Sequence, residues 1–491
     1  MRFGEWLPDL PALGNNGVTI AKNVLPAPDG YLPAKKFVPL SLGFGTNCRG
    51  VFSAKDPDGT SYVFAGDATK LYKLNNATLA WEDISKAGGY ALGATDQWRF
   101  CKFGNTILAV AGKDVAPQKF KFYDTPDALF SNLAGSPPPA YDIANVNNIV
   151  VLVSPYVGGK VLYESMQWSG IGDATVWTAG TLFAGSAPFQ DGGKALRVLD
   201  LGYMAVFQEQ CIRRAFFNTT TTWDVSKVES SKGAIAPGSV VGYGTGAFYF
   251  STDGVYFFDG AQSVPIGNRK VDQWLINDID LSALHYVSGG RDPAQKLIYW
   301  GYRSNNAGEL VGCDRLLVYH YGVNKFSLIE TDSAVVVPTT MTIMPLTLEI
   351  LDLISVDLDS LFGSLDDPAF NGGYQMIVLV DNLGRLVAPI GQSMAATIET
   401  GELQIHPVSR TIVRGAYPLV DGATAKVAIG YRSLQEQSVS YTSPTSQARS
   451  GLCPQRANGK FIRTQVSVAE NANFNKIIGC NLDYQPVGGS R

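Results

Sequence analysis

The sequence predicts an all-β protein: a six-bladed β-propeller with an extended N-terminal arm, an acidic insertion and a small C-terminal β-sandwich. Three observations predict this. Residues 246–268 form an aromatic-rich series of short strands and tight turns, and similar four-strand sets recur over residues 46–330. The chain is also rich in glycine and aromatic residues, with only 17% charged residues. The predicted domains are the arm (1–45), the propeller (46–330), the insertion (331–375) and the sandwich (376–491).

The series at residues 246–268 is the clearest of these strand sets. Thr252-Asp253-Gly254 separates two runs of Phe, Tyr and Val, and Asp259-Gly260 leads into a third run. Asp-Gly suits a tight hairpin because glycine adopts positive φ without steric cost, and aromatic and β-branched side chains favour strands. The segment is therefore predicted to be a β-meander.

The N-terminal arm is interrupted by proline at six positions between residues 8 and 39. Such a segment is not expected to form a continuous helix or a central strand, and it is predicted to run extended over a surface. Two interpretations stay open: the arm packs on its own domain, or it reaches a neighbouring subunit. The apolar residues proposed for an inter-subunit contact are Trp6, Leu7, Leu10, Tyr31 and Leu32.

The propeller prediction depends on the spacing of the strand sets. Four sets are predicted over residues 51–84, 98–133, 148–182 and 195–228. A fifth spans 239–266, a short helix follows at 270–276, and the sixth runs from 283 to 329. Sets of about 40 to 50 residues match a propeller blade. Two packed sandwiches are the alternative, but they would not need this regular spacing.

The predicted insertion differs in charge from the rest of the chain. No Lys or Arg occurs between Phe326 and Gly384, and apolar residues recur there at three- and four-residue steps, which favours a helix or an extended loop. The acids proposed to face a lumen or a tip are Glu349, Asp352, Asp357, Asp359, Asp366 and Asp367. Seven strands predicted after residue 375 are too few for three more blades and suit a small sandwich.

Composition limits the classes of function. A net charge of −4 and a pI near 5.5 disfavour a protein that grips nucleic acid through a basic face. The six cysteines are scattered, and residues 1–14 are acidic where a secretory signal would be basic, so thiols in a reducing compartment are expected. The apolar stretch 334–354 contains prolines and acids, and no integral membrane segment is expected.

Motifs that would indicate chemistry are missing from the sequence. The three histidines lie at no metal-ligand spacing, and the glycines at 242, 244 and 246 precede strands rather than a dinucleotide-binding helix. Arg213 and Arg214 are neighbours in a predicted strand, so they point to opposite faces and are not expected to hold one ligand together. We therefore assign no catalytic, cofactor-binding or metal-binding residue from the sequence.

Several short motifs together resemble the tail hub or nozzle proteins of short-tailed bacteriophages, which include the packaged-DNA stabilisation proteins. The resemblance covers nearly the full length, although each motif is short. The motifs are Leu7-Pro8-Asp9-Leu10, Ala21-Lys22-Asn23-Val24-Leu25-Pro26, Gly30-Tyr31-Leu32-Pro33, Tyr163-Glu164-Ser165-Met166-Gln167-Trp168-Ser169, Asp173-Ala174-Thr175-Val176-Trp177, Cys211-Ile212-Arg213-Arg214, Phe250-Ser251-Thr252-Asp253-Gly254-Val255-Tyr256 and Gly479-Cys480.

The resemblance implies a non-enzymatic subunit of the virion tail, assembled in the host cytoplasm without a cofactor. It implies a homohexameric ring around the DNA channel that retains the packaged genome and conducts it at ejection. Its implied partners are the adaptor or portal ring and tail fibre or tail needle proteins, with loose, non-specific contact to genomic DNA. The alternative is a carbohydrate-binding or depolymerising propeller in a receptor-binding tail component, because aromatic faces stack on sugars.

Overall fold

The structure, a computed structural model, describes residues 1–338, 341–342 and 375–486. Strands account for 48% of it and helices for 4%, so the all-β class is confirmed. Four strands precede the first strand set: β1 (Val18–Lys22), β2 (Val24–Ala27), β3 (Gly30–Pro33) and β4 (Val38–Pro39).

Most of the chain up to residue 336 is organised in four-stranded antiparallel meanders, numbered I to VI here. Meander I is β5 (Val51–Lys55), β6 (Ser61–Gly66), β7 (Leu71–Leu74) and β8 (Trp81–Asp83). Meander II is β9 (Arg99–Phe103), β10 (Thr106–Val110), β11 (Gln118–Lys121) and β12 (Ser131–Asn132). Meander III contains β13 (Asp142–Val146) and β14 (Ile149–Val153), then a side hairpin of β15 (Tyr156–Val157) and β16 (Lys160–Val161), then β17 (Ser165–Trp168), the 3₁₀ turn η1 (Thr181–Phe183) and β18 (Gly185–Pro188).

Meander IV is β19 (Ala195–Asp200), β20 (Met204–Gln208), β21 (Ile212–Asn218) and β22 (Thr222–Glu229). Meander V follows the turn η2 (Pro237–Ser239) and is β23 (Val241–Tyr243), β24 (Gly246–Ser251), β25 (Gly254–Phe258) and β26 (Ser263–Pro265). Helix α1 (Asp272–Asp278) and the turn η3 (Leu281–Tyr286) lead to meander VI, which is β27 (Ser288–Asp292), β28 (Leu297–Tyr302), β29 (Cys313–His320) and β30 (Lys325–Val336).

The remaining strands form the C-terminal part. They are β31 (Met341–Thr342), β32 (Gln375–Met376), β33 (Leu379–Asp381), β34 (Leu386–Ala388), β35 (Ala396–Thr400), β36 (Thr411–Asp421), β37 (Ala425–Arg432), β38 (Ser440–Tyr441), β39 (Thr445–Ser446), β40 (Cys453–Gly459), β41 (Phe461–Val468) and β42 (Lys476–Pro486). Strands β2, β3, β42, β36 and β40 make a five-stranded sheet, in that order.

Successive meanders pack face to face through buried apolar side chains. Because both faces of a strand carry such residues, each meander contributes to the core on either side of it. Pairs that share a core across neighbouring meanders are Phe64 and Phe120, Leu108 and Leu152, Val151 and Val206, Phe207 and Tyr249, and Phe250 and Trp300. This arrangement of small twisted sheets is propeller-like.

Meander VI continues into a thirteen-stranded sheet that joins distant parts of the chain. Strand β1 lies between β30 and β35, pairing parallel with β30 at Lys22 and Leu328 and antiparallel with β35 at Ala21 and Ile398. Strands β33 and β34 extend the sheet beside β30, and they share a core with Val63 of meander I. The N-terminal strand is thus one of two hydrogen-bonded links between meander VI and the C-terminal strands in the described part of the chain, the other being the pairing of β30 with β33.

The hairpin predicted at residues 252–254 is confirmed. Ser251 and Gly254 are paired across a two-residue turn that joins β24 to β25. Gly254 has φ +147°, and a Cβ placed there would come within 2.1 Å of the Asp272 carboxyl group. Asp272 accepts a hydrogen bond from the Val255 backbone N–H at 2.9 Å, so the glycine leaves room for a carboxyl group that holds the hairpin against α1.

Burial of that carboxyl group should make stability depend on pH. Burial, reinforced by the charges of Asp9 and Asp253, raises the pKa of Asp272 to about 6. Between about pH 4 and 6 the folded protein keeps a proton that the unfolded chain releases, so the free energy of unfolding falls as the pH rises through that window, by about 2–3 kcal/mol. We expect Asp272→Asn to lose this part of the pH dependence. Urea denaturation at pH 4.5 and 7 measures it, and equal pH dependence in both proteins would contradict it.

The strands predicted at residues 283–287, as the first of the sixth set, and at 177–182, as the last of the third set, are wrong, and several strands were missed. Residues 283–286 lie in the turn η3 and Val287 follows it, so the first strand of meander VI is Ser288–Asp292. A Cβ on Gly289 would meet Val241 at 2.4 Å, so close packing of the meanders requires a residue with no strand signal. In meander III, residues 177–182 form no strand, and the polar first strand Asp142–Val146 was not predicted.

The expectation that the arm supplies no central strand is also wrong. Strand β1 occupies a proline-free interval and is paired on both sides. Pro26, by contrast, lies in β2 at the edge of the five-stranded sheet, where a missing N–H costs least. All six cysteines are buried thiols.

Among the proposed arm residues, Trp6 and Tyr31 are buried in the core of their own chain, being 2% and 0% exposed. Leu7 and Leu10 are partly buried, whereas Leu32 is 40% exposed. The carboxylate of Asp9 accepts hydrogen bonds from the backbone N–H groups of Gln273 and Trp274 at the start of α1. The arm therefore packs on its own chain at these points, and an inter-subunit role stays a prediction.

Candidate functional site: a cavity where five meanders meet

The segments that lead into the first strands of meanders II to VI surround one cavity of about 400 Å³. Strand β13 contacts β9 on one side and β19 on the other, β19 contacts the turn η2, and β23 contacts β27, so residues far apart in sequence meet at the ends of these strands. The residues that line the cavity are Thr95, Asp96, Gln97, Arg99, Tyr141, Ser154, Tyr163, Lys194, Ala195, Leu196, Glu209, Ile235, Pro237, Leu284 and His285.

Polar bonds between meanders fix the walls of the cavity. The carboxylate of Asp142, at the start of β13, is fully buried and accepts hydrogen bonds from Nη1 of Arg197 and the backbone N–H of Val198, both at 2.7 Å. Ser154 Oγ donates to the carbonyl of Ala195 at 2.7 Å. Meanders III and IV are thus joined by charge-assisted and neutral hydrogen bonds directly beside the cavity.

Arg99 brings a positive charge to the cavity. Its side chain is partly buried, and it forms no hydrogen bond or ion pair with any residue in the described part of the chain. Burial, and after it the positive charge of Arg197, lowers the pKa of the Arg99 guanidinium to about 10, with Asp142 acting in the opposite sense. The group therefore stays charged at neutral pH, and its charge is only partly compensated.

Two tyrosines form an aromatic wall. The ring centroids of Tyr141 and Tyr163 are 6.1 Å apart, and Tyr163 is 41% exposed. Burial, with the negative charge of Asp96 and the hydroxyl of Tyr163, raises the pKa of Tyr141 to about 12. Lys194 lies over the Tyr163 ring at 5.0 Å and is 3.9 Å from Glu209, so its charge is already balanced.

The lining of the cavity also includes a carboxyl group and an imidazole. Burial raises the pKa of Asp96, although its carboxylate accepts a hydrogen bond from the Gly93 N–H at 3.2 Å. Burial and the nearby Arg49 and Arg303 lower the pKa of His285, so this imidazole is neutral at pH 7 and offers one donor and one acceptor. The cavity thus combines a guanidinium, hydroxyl groups and a carboxylate.

Sequence reasoning did not identify this cavity. Its residues come from segments between positions 95 and 285, and only the order of the sheets brings them together. A usable signal exists, since the polar residues Asp96, Arg99, Tyr141 and His285 each lie at or just before the start of the first strand of a meander. The six acids proposed for a lumen or tip, from Glu349 to Asp367, lie outside the described residues.

The two adjacent arginines point apart, as predicted. Arg213 donates to Gln208 Oε1 and to Asp191, whereas Arg214 donates to the carbonyl of Gly260 at 3.0 Å. Within the described ranges, no cluster of three or more His, Cys, Asp or Glu side chains is placed to hold a metal ion. None of the helices described is both long and apolar enough to span a bilayer.

No family model and no curated protein sequence matches the chain. Among solved structures it is similar to YCF48 bound to D1 peptide, with a TM-score of 0.32, 10% identity, and coverage of 61% of this chain and 86% of that one. It is similar to the β-propeller domain of Cps50 (Swd1) from Myceliophteria thermophila, with a TM-score of 0.36, 7% identity, and coverage of 62% and 92%. It is also similar to BBS1N in complex with ARL6DN, with a TM-score of 0.36, 10% identity, and coverage of 73% and 96%.

Proposed function

We propose that this chain is a non-enzymatic structural subunit of a bacteriophage short tail, the nozzle or hub. In this role, copies form a ring around the DNA channel, retain the packaged genome and conduct it at ejection. The observation that carries the proposal is the thirteen-stranded sheet, in which β1 joins meander VI to the C-terminal strands. A continuous hydrogen-bonded sheet between the two parts suits a wall that must not deform under load.

The residues that carry the resemblance support this proposal through their contacts. Asn23 is buried, donates to the carbonyl of Ala395 at 3.0 Å and accepts from the Glu330 N–H at 2.9 Å. Cys480 donates its backbone N–H to the carbonyl of Met1 at 2.9 Å. A Cβ on Gly479 would lie 2.1 Å from that same carbonyl oxygen. These motif residues join the N-terminal segment to β42 and to residues 330 and 395.

The proposal includes a finer architecture. Meanders I to VI are the six blades of one propeller, and the five-stranded sheet packs on β35, β37 and β41 as a C-terminal sandwich. The described residues on either side of the proposed insertion form the paired strands β31 and β32, in which Thr342 is opposite Gln375. Met341 and Met376 at this base share a core with Val63 of meander I, which supports an attachment point beside the proposed propeller.

Electrostatics fit a channel through which DNA slides. The net charge of −4 gives no overall attraction to phosphates, and phosphate contacts set most of the affinity of proteins for DNA. A lining that held DNA tightly would oppose ejection. The partners proposed from the resemblance are therefore other tail proteins, with DNA in loose contact.

Native mass spectrometry of the purified chain, with and without its co-expressed adaptor ring, tests the proposal. We expect a closed ring of about six copies of the 52.8-kDa chain, because a channel requires closed rotational symmetry. Leu32→Asp should weaken the ring if the exposed arm residue lies in the subunit contact, whereas Leu32→Met should not. A chain that stays monomeric with its adaptor ring present would overturn the proposal.

A carbohydrate-binding propeller is the second candidate function. The specific observation that favours it is the cavity wall of Tyr141 and Tyr163, since tyrosine offers a flat apolar face and a hydroxyl at once. Binding of a sugar to this cavity is compatible with a monomer or a ring, so the two candidates are tested separately.

A further inference from the structure

One positive charge in the cavity, that of Arg99, is not balanced by an ion pair with the described residues. Lys194 is close to Glu209, and Arg197 is paired with Asp142. Arg99 has no ion pair in the described part of the chain, and Arg197 is near enough to destabilise its charged form. A partly desolvated guanidinium of this kind is stabilised most by a carboxylate, which accepts two of its N–H groups at once.

The rest of the lining suits a ligand with hydroxyl groups. The hydroxyls of Tyr141 and Tyr163, the carboxylate of Asp96 and the neutral imidazole of His285 supply donors and acceptors. Asp96 and Glu209 also make the cavity unfavourable for a phosphate dianion, because a second negative charge adds repulsion without a second unpaired cation.

The volume of the cavity narrows the range of ligands that it can hold. A volume of about 400 Å³ is near the lower end of pockets that take small molecules, which run from about 300 to 1,000 Å³. It suits a single sugar residue better than an extended chain. The exposed Tyr163 ring leaves one side open, so the residue bound there could be the end of a longer glycan.

We propose that this cavity binds one acidic sugar residue of the hexuronic acid type, with its carboxylate on Arg99 and its hydroxyls on Tyr141, Tyr163 and Asp96. The inference rests on the second candidate function and is independent of ring formation. It adds to that function a ligand class, which is a monocarboxylated sugar, and a residue that sets specificity, which is Arg99.

Isothermal titration calorimetry of the full chain with glucuronate, glucose and inorganic phosphate tests the inference. We expect glucuronate to bind measurably at millimolar concentration or below, and glucose and phosphate to bind at least tenfold more weakly. Arg99→Gln should weaken glucuronate binding about 10- to 100-fold, the range expected for loss of a charged hydrogen-bond pair. Arg410→Gln is the matched control, since it removes an exposed arginine of the C-terminal part.

Each other result contradicts the inference in a defined way. Equal binding of glucose and glucuronate would leave the carbohydrate-binding function standing but overturn the role of Arg99. Stronger binding of phosphate would make the cavity a general anion site, and no binding of any of the three would remove the site. If Arg99→Gln does not fold, Arg99→Lys and Tyr163→Phe take its place, and unchanged glucuronate affinity in both overturns the inference.

Discussion

Replacing Asp142 by alanine is expected to lower the free energy of unfolding by about 3–5 kcal/mol, the usual cost of removing one partner of a buried ion pair. The Asp142 carboxylate is fully buried, and both of its oxygens are used, one by Arg197 and one by the Val198 N–H. Without it, the Arg197 guanidinium keeps its charge beside Arg99, and the Val198 N–H loses its acceptor. The substitution thus leaves a charge and a polar group buried without partners.

A double-mutant cycle separates this cause from a general loss of packing. Urea denaturation of Asp142→Ala, Arg197→Leu and the double variant gives the coupling free energy. We expect the double variant to be more stable than Asp142→Ala alone, because the unpaired charge is gone. Asp142→Asn should fall between, since an amide oxygen still accepts one bond. A loss below 1 kcal/mol for Asp142→Ala, or simple additivity, would contradict the assignment.

Asp142 also illustrates why some strands could be predicted from the sequence and others could not. Strands rich in aromatic or β-branched residues could be predicted, and two of the seven strands predicted after residue 375, at 386–388 and 461–468, have the observed bounds Leu386–Ala388 and Phe461–Val468. The first strands of meanders III and VI were not, because they carry Asp142 and Gly289 where neighbouring meanders approach closely. The signal for a strand weakens where tertiary packing demands a polar or a small residue.

The cavity was beyond sequence reasoning for a different reason. Arg99, Tyr141, Lys194 and His285 belong to four meanders, and nothing in the spacing of single motifs joins them. Their meeting depends on the register of every sheet and on which strand of each meander comes first. A prediction of repeated strand sets does indicate which strand of each meander comes first. Polar residues at the starts of those first strands are therefore the ones to test in similar chains.

Trp6→Ala is expected to decide whether the N-terminal arm packs on its own chain or reaches a neighbouring subunit. Trp6 is 2% exposed, donates its Nε1–H to the Thr19 carbonyl at 3.0 Å and contacts the Trp274 ring edge-on at 4.8 Å. Its truncation should lower the free energy of unfolding by about 3–5 kcal/mol, as for other large aromatic side chains in cores. Because these contacts lie within one chain, the loss should not depend on protein concentration.

Denaturation at two protein concentrations that differ a hundredfold distinguishes the two interpretations of the arm. Leu32→Ala is the matched control from the same segment, since its exposed side chain should change the free energy of unfolding by no more than about 0.5 kcal/mol. If the arm instead bound a neighbouring subunit, dilution would lower the free energy of unfolding of the wild type towards that of Trp6→Ala, because association depends on protomer concentration. A loss that is constant on dilution assigns the arm to its own chain, and leaves Leu32, rather than Trp6 or Tyr31, as the most exposed of the five proposed arm residues and the one available to another subunit.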